Sequence, residues 1–278
     1  MCQVLGVSRS GYYAWRSRPA SRRDLANRQL LAEIKRIHQS DCIVYGSPRV
    51  HKELLGRGIQ CGENRVARMM RAHKIRAQQG KRLRRPALKT SSVWIAPNVL
   101  AGQFQSEEVN QVWVADITYI STKKGWLYLA VVMDLYSRRI VGWSMSPRIT
   151  SQVSLDALHM ALLQRTPKPD TLLHHSDRGI HYANKAYQQH LMQKGISASM
   201  SRRGVCYDNA VMESFFHTLK VERVLFQNYP SQKEAQRDLF EYIEIFYNQK
   251  RLHSSLGYVS PVKFEETIPK ESLISVST

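Results

Sequence analysis

Between residues 111 and 146 the spacing of apolar side chains sets the expectation. VWVADITYI alternates apolar and polar positions, WLYLAVVM is an unbroken apolar run, and RRIVGWSMS is a shorter mixed stretch. Period-two alternation predicts a half-buried strand and a short apolar run a fully buried one. Three strands in a meander are therefore expected, turning at Gly125 and at Ser137-Arg138. From Ser151 the pattern changes. Ser151 to Gln164 reads as a helix, LLHHS as a strand, Asn184 to Gln193 as a helix, Ile196 to Met200 as a strand and Asp208 to about Phe226 as a helix. The order βββαβαβα implies a mixed sheet with helices on its faces, because each later crossover must lie over the sheet. Phe240 to Tyr247 is amphipathic and leads into Asn248-Gln249-Lys250-Arg251, whose cations would either follow DNA or end a solvated helix.

The first part of the chain has only helical periodicity. Leu30, Leu31, Ile34 and Ile37 recur at helical spacing, Ser47-Pro48 starts a second helix, and Gly56 and Gly58 end it. Glu63 to His73 then forms a third, with Val66, Met69 and Met70 for packing and Arg65, Arg68 and Arg71 on other faces. An arginine-rich second helix after a glycine-containing turn can enter a major groove, whereas a plain three-helix bundle would leave the same arginines solvated. Nearer the N-terminus, Ser8 could cap a short helix holding Tyr12, Tyr13 and Trp15. The expected division is a basic helical segment 1–29, a helix-turn-helix-like region 30–80, a linker 81–107, an α/β core 108–226, a helical extension 227–268 and a tail 269–278. The linker lacks periodicity and holds Pro86, Pro97, Gly102 and the cluster Lys81, Arg82, Arg84 and Arg85.

Charge sharpens this division. The 278 residues carry 41 Lys and Arg against 22 Asp and Glu, a formal +19. Residues 1–106 hold 21 of the cations and five of the acids, a net +16, which leaves +3 for the rest. Clustered cations suit phosphate neutralisation, so the basic part is expected to bind nucleic acid and the nearly neutral part to be a packed domain. No stretch approaches the run of apolar residues that a bilayer crossing needs, and no secretory leader is legible, so the expected location is the cytoplasm. Cys2, Cys42, Cys61 and Cys206 are scattered without a CxxC pair, as reduced thiols would be.

Within the α/β part, Asp116 stands inside an apolar strand, where an ionised carboxylate is costly unless paired, coordinated or at an accessible edge. Asp177 follows LLHHS at the carboxyl end of a strand, the usual place for ligand-binding groups in sheets with crossovers. Glu213 lies on the later helix. If the two strands are neighbours and the helix crosses their ends, three hard oxygen donors converge, a set suited to Mg²⁺ or Mn²⁺. The 35 residues between Asp177 and Glu213 also separate Asp208 from Glu244, so spacing alone decides nothing. Asp208 reads as a helix N-cap and Glu244 as part of an amphipathic helix. Lys220, two helical turns after Glu213, could meet a phosphate or simply be an exposed lysine. Asp134 reads as a turn residue rather than a fourth ligand, and Trp113, Trp126 and Trp143 as core. His174, His175 and His181 flank Asp177, either packing or touching DNA and protons.

VWVADITYI, HHSDRGIHY, DNAVMESFFHTLKVE and YNQKRLHSSLGYVSP together resemble bacterial insertion-sequence transposases with a retroviral-integrase-like core, in particular the second reading-frame product, OrfB. YGSPRVHKELLGRG is similar to the helical DNA-binding segment that precedes that core. The resemblance implies a ribonuclease-H-like fold over 108–226, with Asp116, Asp177 and Glu213 as the catalytic, metal-binding acids. It implies two Mg²⁺ ions, for which Mn²⁺ can substitute, and it associates Lys220 with the triad; Asp116 is the candidate for bridging both ions, with Asp177 and Glu213 completing one each. The implied reaction is DNA strand cleavage and strand transfer. The implied partners are double-stranded element ends and target DNA, further copies of the chain in a synaptic complex, and an upstream helix-turn-helix product or fusion. The chain departs from retroviral integrases in lacking a His/Cys zinc module at its N-terminus. A non-catalytic DNA-binding regulator would explain the basic part but leave Asp116 without purpose. A ribonuclease-H-type hydrolase would leave the basic part without one.

Overall fold

The structure, a computed structural model, describes residues 2–40, 43–78, 95–104, 106–202 and 206–267, with only the backbone of Cys206 and Tyr207. Lys81, Arg82, Arg84 and Arg85 lie outside the described residues. The chain divides into two compact units, Met1–Gln78 and Gln79–Thr278.

The first unit is helical: α1 (Arg9–Ser17), α2 (Arg22–Gln39), α3 (Ser47–Gly56) and α4 (Glu63–Ala72). Ser8 caps α1 as expected, its Oγ accepting from the Gly11 N–H at 3.0 Å, and no residue of α1 is buried. α2 starts at Arg22 with a capping box between Ser21 and Asp24, so one helix runs across residues 29 and 30. Leu30, Ile34 and Ile37 of α2, Val50 and Leu54 of α3 and Val66 and Met70 of α4 form the common core, and all three helices touch. α3 ends in a Schellman turn. Gly58 (φ +78°) donates to the Leu55 carbonyl and Ile59 to the Leu54 carbonyl, both at 2.9 Å, and this positive φ is what a glycine tolerates.

The second unit is a five-stranded mixed sheet, β1 (Val112–Thr122), β2 (Gly125–Asp134), β3 (Ile140–Ser146), β4 (Leu173–Ser176) and β5 (Ser197–Met200), in the order β3-β2-β1-β4-β5. β1, β2 and β3 pair antiparallel, while β4 lies parallel to β1 and β5 parallel to β4. α5 (Ser151–Gln164) and α6 (Lys185–Gln193) supply the crossovers. Trp113, Ala115, Ala130, Val132 and Val141 of the sheet share a core with Val153, Ala157, Leu158 and Ala161 of α5 and Tyr187 and Leu191 of α6. Each buried valine or leucine among them stabilises by about 1.5–3 kcal/mol. α5 lies so close to β3 that a Cβ on Gly142 would stand 2.2 Å from the Ala157 carbonyl oxygen. By alternation Val114, Ile120, Leu127, Leu129, Val131 and Met133 face the other way, and they too are buried. α7 (Ala210–Glu222) and α8 (Gln232–Phe240) pack against β1 and β2; α9 (Pro261–Glu266) follows.

Three expectations need correction. Residues 95–104 were expected in the linker, yet Ala96 is in the core, the Met200 N–H donates to the Pro97 carbonyl, and the Val99 and Leu100 amides donate to Ser199 Oγ. This stretch therefore covers the end of edge strand β5. The helix expected from Asp208 to Phe226 is three pieces, a 3₁₀ turn Cys206–Asn209, α7, and a second 3₁₀ turn Val224–Phe226. The amphipathic stretch after Phe240 is a π-helical turn, Glu241–Tyr247, and its following cation Arg251 is buried rather than solvated. Arg251 Nη2 and Nε donate to Glu222 at 2.7 and 2.8 Å. Asn248 exchanges hydrogen bonds with the Ile140 backbone, both at 3.0 Å, so it pairs with edge strand β3 as another strand would.

Candidate active site

Asp116 and Asp177 are brought together by strand register. The β1/β4 ladder ends at the pair Ala115 and Ser176, so one further step along both strands reaches Asp116 and Asp177. Neighbouring strands lie roughly 4.8 Å apart. Asp116 Oδ1 accepts from the Ile117 N–H at 2.8 Å. Asp177 Oδ1 accepts from the Gly179 N–H at 2.9 Å, and a Cβ on Gly179 would stand 2.8 Å from that oxygen. Asp177 keeps part of its surface in solvent, but the surrounding protein raises its carboxyl pKa, against the Gly179 hydrogen bond and the charge of His181. Buried Tyr182 senses both acids. Its hydroxyl pKa is pushed well up, first by burial, then by Tyr187 and by the charges of Asp116 and Asp177.

Glu213 is in the first turn of α7, which packs on β1. At one end, Asn209 Nδ2 donates to the Ala115 carbonyl at 3.2 Å, directly before Asp116. Further on, Lys220 Nζ lies 4.7 Å from the Tyr119 ring centroid, three residues beyond Asp116. From 209 to 220 a helix rises about 16 Å, and from 115 to 119 a strand rises about 13 Å. The helix thus runs alongside the strand, with Glu213 between the two anchor points. Among the described residues, no group of three His, Cys, Asp or Glu side chains stands close enough to hold a metal ion. The acids share a neighbourhood without forming a closed cage.

The neighbouring polar residues hold the frame. Asp134 accepts from the Asn110, Tyr136 and Ser137 amides at 2.7, 3.0 and 3.0 Å, and so closes the β2–β3 turn as expected. Asp208 is not an N-cap. It accepts from Asn98 Nδ2 at 2.9 Å and from the Arg202 N–H and guanidinium at 2.7 to 3.1 Å, and Arg202 hydrogen bonding holds its carboxyl below the usual range. Glu244 accepts from Trp143 Nε1 at 2.7 Å. His174 and His175 are core residues, the first bonded to Tyr187 Oη at 3.0 Å and the second to Ser199 and Ser201 hydroxyls at 2.9 and 3.2 Å. Burial lowers the His174 pKa to about 3, helped by the charge of His175, and lowers that of His175 to about 4 against Asp208. Trp113 is fully buried, but Trp126 is 49% exposed with its ring edge-on to Tyr119, so the core expectation fails there.

Of the arginines expected on DNA, Arg68 and Arg71 are exposed on α4. Arg65 is half-buried, its Nε and Nη2 bonded to Asn27 Oδ1 at 3.0 and 2.7 Å, which ties α4 to α2. Asn209 escaped the reading of the sequence because a polar residue before a helix looks like a cap. Its signal was the run of two polar residues, Asp208-Asn209, where one cap suffices.

A three-strand meander extended by two parallel strands through crossover helices is the arrangement of the integrase class of polynucleotidyl transferases. The profile described as "Integrase core domain" matches residues 106–206, a second of that description matches 213–268, and "HTH-like domain" matches 24–82. The chain is 44% identical over 266 residues to "Insertion element IS600 uncharacterized 31 kDa protein" of Shigella sonnei, covering 96% of this chain and 97% of that one. It is 41% identical over 271 residues to "Transposase InsF for insertion sequence IS3A" of Escherichia coli K12, covering 95% and 92%. An intasome of simian T-cell lymphotropic virus in complex with PP2A regulatory subunit B56 gamma aligns over 88% of this chain and 80% of that one, at 16% identity and a TM-score of 0.48. The chain belongs to the insertion-sequence transposases with an integrase core, and it is a polynucleotidyl transferase. No helix of the described residues is long and apolar enough to cross a membrane.

Proposed function

We propose that Asp116, Asp177 and Glu213 are the catalytic acids with which this transposase cuts and joins DNA strands, and that the basic first unit binds the duplex. The observation that carries the reading is the β1/β4 register, which brings Asp177, just past the end of β4, beside Asp116 in the middle of β1, while α7 runs alongside with Glu213. Three carboxylates are the donor set of a hard divalent cation, so these residues would hold Mg²⁺, two ions in the fullest form, with Mn²⁺ as a substitute. When bound, such ions lower the pKa of an attacking water or hydroxyl and stabilise a leaving oxygen. The chain itself sets the direction of the acids. Backbone N–H groups of Ile117 and Gly179 each fix one oxygen of Asp116 and Asp177, and so set the direction of both carboxylates. Lys220, two turns after Glu213 on α7 and beside Tyr119, would supply the cation for a DNA phosphate. Several chains acting together on two element ends complete the reading.

The test is Mg²⁺-dependent cleavage and joining of a labelled duplex carrying the terminal repeat of the element itself, for wild type and Asp116→Asn. The substitution removes charge at nearly constant volume. Activity should vanish while duplex binding persists; a fully active Asp116→Asn protein would overturn the assignment. Lys220→Ala should weaken binding to that duplex at moderate salt, and unchanged binding would remove Lys220 from the site.

A further inference from the structure

We propose that the base-reading surface of this chain is the face of α4 bearing Asn64, Arg68 and Arg71, with Asn64 and Arg68 on base edges and Arg71 on a phosphate. This rests on the reading of the first unit as the DNA-binding part. α4 buries Val66 and Met70. At 100° per residue, Asn64, Arg68 and Arg71 fall within about 60° of one another, on the side turned away from that buried pair. All three are exposed. Arg65 lies about 100° from Asn64 and is engaged by Asn27, so it belongs to the packing of α4 and not to this face.

The approach to the helix favours the same end. The Schellman turn at Gly58 directs the chain out of α3, and the N-cap of α4 is Gly62, which has no side chain to stand between the helix end and a ligand. In helix-turn-helix proteins the first residues of the second helix meet base edges. Asn64 is the second residue of α4 and Arg68 comes one turn later. An asparagine carboxamide matches the N6 and N7 edge of adenine, and a guanidinium matches the O6 and N7 edge of guanine. Arg71, two turns from the helix start, is placed for the flanking backbone.

The test uses the full chain and a pool of duplexes with a randomised core, selecting bound sequences and measuring affinity against salt. Wild type should enrich a motif. Asn64→Ala and Arg68→Ala should each erase the preference at one position, cutting discrimination there by roughly ten- to a hundredfold. Arg71→Ala should keep the motif and make the slope of log affinity against log salt shallower by about one. Arg65→Ala should lower the melting temperature and keep the motif. Wild-type motifs from both Asn64→Ala and Arg68→Ala would overturn the proposal, as would a wild-type protein that binds duplex without enriching any motif. In the latter case the strand-transfer assay still stands for the catalytic reading. A chain that binds no duplex at all would take the DNA-binding reading of the first unit down as well.

Discussion

Asn209 shows how one side chain connects the frame to the chemistry. Its Nδ2 donates to the backbone oxygen of the residue before Asp116, at the point where the chain enters the helix of Glu213. Asn209→Ala removes one hydrogen bond to that buried carbonyl, which costs about 0.5–1.5 kcal/mol. The expected outcome is a lower urea midpoint at unchanged slope, and strand transfer reduced far more than duplex binding. Equal losses in transfer and binding would make Asn209 a general packing residue. The acids and this asparagine differ in legibility for a physical reason. A carboxylate in an apolar strand is expensive wherever the strand lies, so Asp116 was visible in the sequence. A neutral amide is cheap at any helix start, and its partner 94 positions away exists only once the sheet has formed.

Elements were legible where their periodicity was long, and less so where a tertiary contact ended them. The strand meander and α5 lie where alternation and helical spacing place them. α7 is shorter than its pattern. Asp208 is drawn to Arg202 and Asn98 instead of capping, and Arg223, with φ −132° and ψ −62°, breaks the helix and turns its guanidinium to Asp238. The C-terminal end of α7 is then held by Glu222, which accepts from Arg251 and from Tyr242 Oη at 2.9 Å; the Arg251 and Glu222 side chains are only 4% and 8% exposed. Removing one partner of such a pair strands the other charge, a loss of about 3–5 kcal/mol, whereas apolar replacement of both is often near neutral. Glu222→Ala should therefore destabilise strongly, and Glu222→Met with Arg251→Met much less, as a double-mutant cycle in urea would show. Equal destabilisation of the single and double variants would mean that packing volume, not charge, holds this end of α7.

At the scale of the whole molecule the charge map gave the right kind of division, but not its edge. Unit one, Met1–Gln78, carries 16 Lys and Arg against five Asp and Glu, while residues 95–104, on the basic side of the sequence division, belong to the sheet unit. Composition could not separate them, because Ala96 to Leu100 are held by backbone and serine hydrogen bonds that have no periodic signature. The sheet unit also carries a pH dependence that belongs to its core. His174 and His175 sit side by side on the central parallel strand, titrating near 3 and 4 when folded and near 6.5 when unfolded. Above about pH 6.5 both forms of the chain hold them neutral, and their contribution is fully present. As pH falls below that, the unfolded chain takes up two protons that the folded chain refuses, so stability declines down to about pH 4, each histidine contributing a slope of about 1.4 kcal/mol per pH unit. His175→Gln keeps an amide for Ser199 and Ser201 and cannot take up a proton. Between pH 6 and 4 its unfolding free energy, from urea titrations, should fall less steeply than that of wild type by about one histidine's slope. Parallel profiles would show that this buried pair does not set the acid limit of the fold.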